Sequence, residues 1–237
     1  MKTKIAETAP LAGTQPQEAP AMIETAGQER VLSFIRSEKP LMNLGITPET
    51  ITPFVENKVS VLVQRGTGAF LFIPDIDYAD CGAALQDDTA AIIAPAHVIV
   101  KTEPFSITEL QQMRTGQILL SPFIQEEFTQ SHHEIISQKQ LTAIAYNLIN
   151  ERNGNTCIEK ICQQFQDEMA RQNEFTKFIT PLISNLIFNK EIRTAIQTSP
   201  EILQGTYYYK GTLTHKETAE KYGLPFRNIM ELCWNWN

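Results

Sequence analysis

From Ala96 to Tyr146 the chain reads AHVIVKTEPFSITELQQMRTGQILLSPFIQEEFTQSHHEIISQKQLTAIAY. Three short apolar runs stand out: Ala96–Lys101 (AHVIVK), Gln117–Ser121 (QILLS) and Leu141–Tyr146 (LTAIAY). Each is too short for a typical helix, and none alternates apolar with polar. Each therefore reads as a strand buried on both faces. Thr108–Met113 and Glu126–Lys139, between them, read as helices. A β-α-β-α-β order with doubly buried strands implies an α/β fold, a mostly parallel sheet flanked by helices.

Upstream, Lys58–Gln64 (KVSVLVQ) is a further strand, and Arg65–Pro74 a loop. Thr47 opens a helix with Pro48 at its first position, and Pro53 is expected to kink or end its first turn. Glu29–Ser37 (ERVLSFIRS) carries apolar residues at helical spacing and reads as a helix. Asp75–Ala83 and Asp87–Ala94 read as short helices. Residues 1–28 are rich in Ala, Thr, Pro, Gln and Glu and read as a disordered tail.

Downstream, the pattern changes. Thr156–Asn189 is largely helical, with one apolar face through Ile158, Ile161, Cys162, Phe165 and Met169 and a denser one from Phe175 to Ile187. Pro181 is expected to kink it. Lys190–Thr198 continues as helix, Thr206–Thr214 reads as a hairpin turning at Lys210-Gly211, and Lys216–Tyr222 and Arg227–Cys233 close the chain as helices. His215 is expected to cap the first of these two.

Composition excludes several functions. Against 27 Asp+Glu there are 20 Lys+Arg, a net charge of -7 over 237 residues. That lacks the footprint of a nucleic-acid binder and disfavours docking on an anionic membrane. No run of about 18 apolar residues exists, and the N-terminus is a poor signal peptide, so a cytoplasmic location is expected. Cys81, Cys157, Cys162 and Cys233 show no metal-ligand spacing and read as free thiols; no metal is expected.

The chemistry-bearing positions are few. Gly66-Thr67-Gly68 follows a strand, but the third glycine of a dinucleotide fingerprint is missing and no helix start follows. His97 sits in a strand and reads as structural. His132 and His133 are adjacent on a polar helix and diverge by about 100°. Lys101, Thr102 and Glu103 fall at the carboxyl edge of the sheet, where open α/β folds bind ligands. Lys101 could contact a substrate carboxylate or carbonyl, or form an ion pair with Glu103 or a neighbour.

Several strings together are recognisable. VSVLVQRGTGAFLFIPDIDYADCGAAL (residues 59–85), VIVKTEPFSITELQQMRTGQILLS (98–121), LTAIAYNLI (141–149), FITPLISNLI (178–187) and GTYYYKGTLTHKETAEKYGLPFRNIMELC (205–233) resemble, in order, the alanine dehydrogenase/nicotinamide nucleotide transhydrogenase alpha-subunit family. The resemblance implies a Rossmann-like or flavodoxin-like substrate domain with a C-terminal helical segment and small hairpin. It implies one domain over 29–237, built from 29–155 and 176–237. A helical linker, 156–175, stands where relatives insert an NAD-binding domain. It also implies losses. Asn43 stands where the family places a carboxylate-holding arginine. Lys101 matches a family lysine, Glu103 stands where many members have another, and Ile124, beside Gln125, aligns near the catalytic histidine. Asn cannot make the bidentate ionic contact, and Ile cannot move a proton.

These readings expect no catalytic residue and no cofactor. The leading expectation is a non-catalytic relative acting as a protein-interaction or regulatory module. Its partner would be a second copy or a full-length paralogue, docked on the apolar face of 156–189. One alternative is a binder of a 2-oxo acid or amino acid through Lys101, Thr102, Asn43, Arg65 and Gln125. The other is a residual oxidoreductase needing a separate NAD domain.

Overall fold

The computed structural model describes residues 30–151 and 155–234; the expected tail, 1–28, lies outside them. The strands are β1 (Val31–Phe34), β2 (Ser60–Gln64), β3 (Ala84–Gln86), β4 (Val98–Val100), β5 (Ile118–Ser121), β6 (Thr142–Ala145), β7 (Thr206–Tyr209) and β8 (Thr212–Leu213). They form one sheet in the order β3-β2-β1-β4-β5-β6-β7-β8. The first six strands of that row are parallel, and β7 and β8 are antiparallel. The parallel part has the strand order 3-2-1-4-5-6 of doubly wound dinucleotide-binding sheets, with its topological switch between β1 and β4.

One correction decides the sheet's centre. ERVLSFIRS, whose spacing suggests a helix, contains β1. Apolar residues at 31, 32, 34 and 35 fit a helical face and a doubly buried strand equally well. Tertiary context chooses the strand: Leu32 and Phe34 point to one face, and Ser33 satisfies its hydroxyl on the Ile92 carbonyl at 3.0 Å on the other. The short strand β3 is a second difference, lying in a stretch of polar and small residues that carries no strand signal.

Among the described residues, eleven α-helices cover the two faces: α1 (Pro48–Glu56), α2 (Asp75–Asp80), α3 (Thr89–Ile93), α4 (Ile107–Gln112), α5 (Gln130–Gln138), α6 (Cys157–Gln164), α7 (Glu168–Phe188), α8 (Ile192–Thr198), α9 (Pro200–Gly205), α10 (Lys216–Tyr222) and α11 (Ile229–Cys233). Strand residues sort by the period of two. Val98, Val100, Leu120 and Ile144 join a core with α1, α6 and α7, while Ile99, Leu119, Ala143 and Ala145 join one with α3, α4 and α5. Helix α7 continues through Pro181, an exposed residue, and α1 continues through Pro53 to Glu56. Neither proline ends its helix. His215 occupies the N-cap position of α10, but its ring bonds the Thr218 hydroxyl and caps no backbone N–H.

The apolar face of α7, through Phe175, Ile179, Leu182, Ile183, Leu186 and Ile187, is buried within this chain. The sequence pattern leaves this face in need of a partner's cover; the chain's own sheet and α1 supply it. Between β6 and β7 the described residues form helices and a 3-10 turn, and no second sheet.

The β7–β8 hairpin turns at Lys210 (φ 48°) and Gly211 (φ 80°), the paired positive dihedrals of a two-residue type I′ turn. A Cβ on Gly211 would stand 2.6 Å from the Ser137 carbonyl oxygen. Gly116 (φ 82°) has the same conformational need but nothing within 4 Å. We predict that Gly211→Ala costs about 1–3 kcal/mol in urea unfolding and Gly116→Ala nearer 1 kcal/mol. Equal losses would show that the Ser137 contact does not constrain the turn.

Candidate functional site

In a sheet of this order, ligands bind outside the carboxyl ends at the switch point. Here that crevice is stapled. The Ser37 hydroxyl, just past β1, accepts hydrogen bonds from the Thr102 N–H and the Thr102 hydroxyl, both at 3.0 Å. The Leu41 N–H and the Tyr146 hydroxyl both donate to the Thr102 carbonyl, at 2.7 and 3.3 Å. Thr102 is buried and its polar groups are engaged.

One strand further, the carboxyl ends of β4 and β5 open on a cavity of about 300 Å³. Alternation along β4 sends Val98 and Val100 to the α7 side, and Ile99 and Lys101 to the α4–α5 side. Lys101 thereby reaches this cavity. Its other walls are mostly apolar, with Phe105, Leu119, Phe123, Phe128 and Tyr207 among them.

The Lys101 ammonium is already paired. It lies 2.7 and 2.9 Å from the two Glu109 carboxylate oxygens and 2.9 Å from Glu103 Oε1. The side chains of Lys101, Glu103 and Glu109 are only 5%, 17% and 14% exposed, so solvent screens the triad little. Glu109 is fixed by a capping box: its Oε2 accepts from the Ser106 N–H at 2.7 Å, and Ser106 Oγ accepts from the Glu109 N–H at 3.3 Å. Glu103 Oε2 accepts from the backbone N–H groups of Glu38 and Lys39, at 3.1 and 2.8 Å. Burial alone would push the Glu103 carboxyl up. Hydrogen bonds from Lys101 and those two amides, with the lysine's charge, outweigh burial and hold it below the usual carboxylate range.

The other expected contacts lie elsewhere. Ile124, at the family's histidine position, lines the cavity with Lys101. Gln125 is not among the lining residues; its carbonyl accepts from the Tyr222 hydroxyl at 2.7 Å. Asn43 is exposed on a 3-10 turn with φ 56°. Arg65 is exposed beyond β2, with ion pairs to Asp75 and Asp87 at 3.7 and 3.5 Å. The structure does not bring Asn43 or Arg65 to the cavity. Gly66-Thr67-Gly68 follows β2, whereas a dinucleotide fingerprint follows β1.

Sequence reasoning misses Glu109 and His132. The signal for Glu109 is present, as the Ser-x-x-Glu spacing of 106–109. His132 lines the cavity, stacks on Phe128 with ring centres 5.7 Å apart, and bonds the Thr129 hydroxyl at 2.8 Å through Nδ1. His133 diverges from it and meets the Tyr208 hydroxyl at 2.7 Å. Burial depresses both imidazoles below the usual histidine range. Among the described residues no group of three His, Cys, Asp or Glu side chains is placed to hold a metal, and no helix is long and apolar enough to cross a membrane.

The alanine dehydrogenase/PNT N-terminal domain family model matches residues 35–159, more than half the chain, and the chain belongs to that family. It is 28% identical over 127 residues to the first portion of the NAD(P) transhydrogenase alpha subunit of Rickettsia prowazekii (strain Madrid E), a match covering 51% of this chain and 32% of that one. It is 26% identical over 111 residues to an alanine dehydrogenase of Mycobacterium tuberculosis (strain ATCC 25618 / H37Rv), covering 47% and 30%. Among solved structures, an L-alanine dehydrogenase matches with TM-score 0.47 at 20% identity, covering 55% of this chain and 36% of that one. A transhydrogenase from Sinorhizobium meliloti matches with TM-score 0.44 at 22% identity, covering 52% and 36%. The matches take in about a third of each relative's length.

The triad can be tested by stability and by pH. Lys101→Met leaves two carboxylates without their cation and lowers stability by about 3–5 kcal/mol in denaturant unfolding; a near-neutral effect would show that water already compensates them. The pH test concerns Glu103, whose native value lies below its unfolded value of about 4.3. Its contribution is therefore complete above that value and is lost as pH falls through the depressed native one. Between pH ~6 and ~3 the wild type should lose more stability than Glu103→Gln; parallel curves would contradict this assignment.

Proposed function

We propose that this chain is a non-catalytic relative of the alanine dehydrogenases, acting as an interaction or regulatory module. The observation that carries the reading is the pairing of Lys101 with both Glu103 and Glu109. A lysine neutralised twice is a poor anchor for a substrate carboxylate. Ile124 beside it offers no group that can give or take a proton. The turn after β1, Ile35-Arg36-Ser37-Glu38-Lys39, lacks the glycines of a dinucleotide fingerprint, so nicotinamide chemistry would need a domain from elsewhere.

A partner remains part of this proposal. Because most of the apolar stripe of α7 is buried, a second copy or full-length paralogue docking on 156–189 would meet charged side chains such as Glu174 and Lys177 and two exposed apolar ones, Met169 and Phe188. Sedimentation across a wide concentration range reads this directly. A monomer throughout would remove self-association from the proposal.

The cavity supports a second reading, the binding of a small 2-oxo acid or amino acid. The entering carboxylate would have to displace Glu103 or Glu109 from Lys101. Two assays separate the readings. The isolated chain should reduce no NAD in the presence of alanine, and measurable turnover would sink the non-catalytic proposal. Thermal denaturation with pyruvate or alanine should show no shift. A saturable rise, worth about 2.7 kcal/mol at 100 times the dissociation constant, would favour the binding reading.

A further inference from the structure

The amino ends of the strands hold a second, larger cleft, of about 770 Å³, on the edge opposite the Lys101 cavity. Four cations line it: Arg30 before β1, Arg114 before β5, Lys190 between α7 and α8, and Lys210 in the β7–β8 turn. His97 lies among them, and among the described residues Glu191 is the one carboxylate lining the cleft. This runs against the whole chain, which is net acidic at -7.

The two arginines are fixed without being neutralised. Arg30 Nη1 donates to the Ile187 carbonyl at 2.6 Å and to the Asn189 carbonyl, at the end of α7. Arg114 donates through Nε to the Ala94 carbonyl and through Nη2 to the Ala96 carbonyl at 3.0 Å. Carbonyls orient a guanidinium but leave its unit charge, and each has five N–H donors to share. Neither Lys190 nor Lys210 has a carboxylate partner among the described residues; the Lys210 ammonium stands 5.5 Å over the Tyr209 ring. Elsewhere Lys101, Arg65, Lys160 and Lys177 meet carboxylates, while Lys139, like these arginines, is held by backbone carbonyls; what sets the cleft apart is that four cations share one concave surface. A concave surface of one sign focuses its field and concentrates counter-ions. The His97 imidazole is depressed below the usual histidine range, first by burial and then by the Arg114 and Arg30 charges. Its Nδ1 accepts the Val31 N–H at 3.1 Å, so the neutral form is the one built in.

We propose that this cleft binds a small oligophosphate-bearing anion. Guanidinium forks suit phosphate oxygens, and lysines add point charges. Four cations around a cleft this size suit several linked anionic groups better than a single one. The site lies on the opposite edge from the Lys101 cavity and does not depend on the function proposed for it.

The test is calorimetric titration of the full chain with sodium tripolyphosphate at low and moderate salt. Lys190→Glu/Lys210→Glu should weaken binding at least tenfold with the melting temperature kept, since both side chains are exposed and unpaired. Lys177→Glu/Lys216→Glu changes net charge equally, away from the cleft, and should weaken it far less. Equal weakening by both variants, or no binding by the wild type, overturns the proposal. Inorganic phosphate binding as tightly as tripolyphosphate overturns the oligophosphate assignment. In the wild type, saturating tripolyphosphate should raise the His97 titration midpoint in NMR, and an unmoved midpoint also counts against the site.

Discussion

A parallel sheet of six strands must be covered on both faces, and most of this structure follows from that requirement. The largest single cover is α7, 21 residues and about 30 Å long. Its buried residues recur at 175, 179, 182, 183, 186 and 187, one continuous stripe. That stripe meets Val98 and Val100 of β4 and Phe54 of α1 in one core. Removing it would expose the α7 side of the central strands, which carry no polar alternation to face water. The same helix ends where its last carbonyls take the Arg30 guanidinium, so the covering of the sheet also places a cation at its amino edge.

The fold is legible where strands are short, apolar and bounded. AHVIVK, QILLS and LTAIAY each contain a strand, and Lys210-Gly211 is the turn of the hairpin. It is illegible where one pattern serves two structures. ERVLSFIRS satisfies a helical face, yet it is the central strand β1, because both of its sides are buried and both periods are then met. Pro181 does not end α7: it lies on the helix's exposed side, where water can serve the carbonyl left without a donor. The uncovered face expected of residues 156–189 rests on the idea that an absent domain leaves a bare surface. The chain instead turns most of the denser face inward, and leaves Met169 and Phe188 exposed at the two ends of α7.

The site is half legible for a similar reason. A lysine at the end of a buried strand is visible in VIVK, and its position at the carboxyl edge follows from the parallel order. Its partners are less visible. Glu103 is two residues on, but Glu109 arrives through a capping box that reads as helix punctuation and only incidentally aims a carboxylate. The basic cleft is not legible at all. Arg30, Arg114, Lys190 and Lys210 are far apart in the chain and meet because two strand starts, the α7–α8 connection and one hairpin turn share an edge.

The two edges of the sheet therefore differ in how charge is handled. At the carboxyl edge the buried cation is matched by two carboxylates, themselves held by amides and a serine, so the group is closed on itself. Taking such charges out of water is expensive, and the arrangement holds because every member has a partner. A ligand that used Lys101 would have to break that closure. At the amino edge the two arginines are held only by carbonyls, which fix position and leave charge, and the two lysines meet no carboxylate among the described residues. Ligand sites in open α/β sheets belong to the carboxyl edge because strand ends and helix N-termini converge there. This chain keeps that geometry, fills its switch point with the Ser37–Thr102 bonds and neutralises its lysine. The unmatched charge lies at the other end.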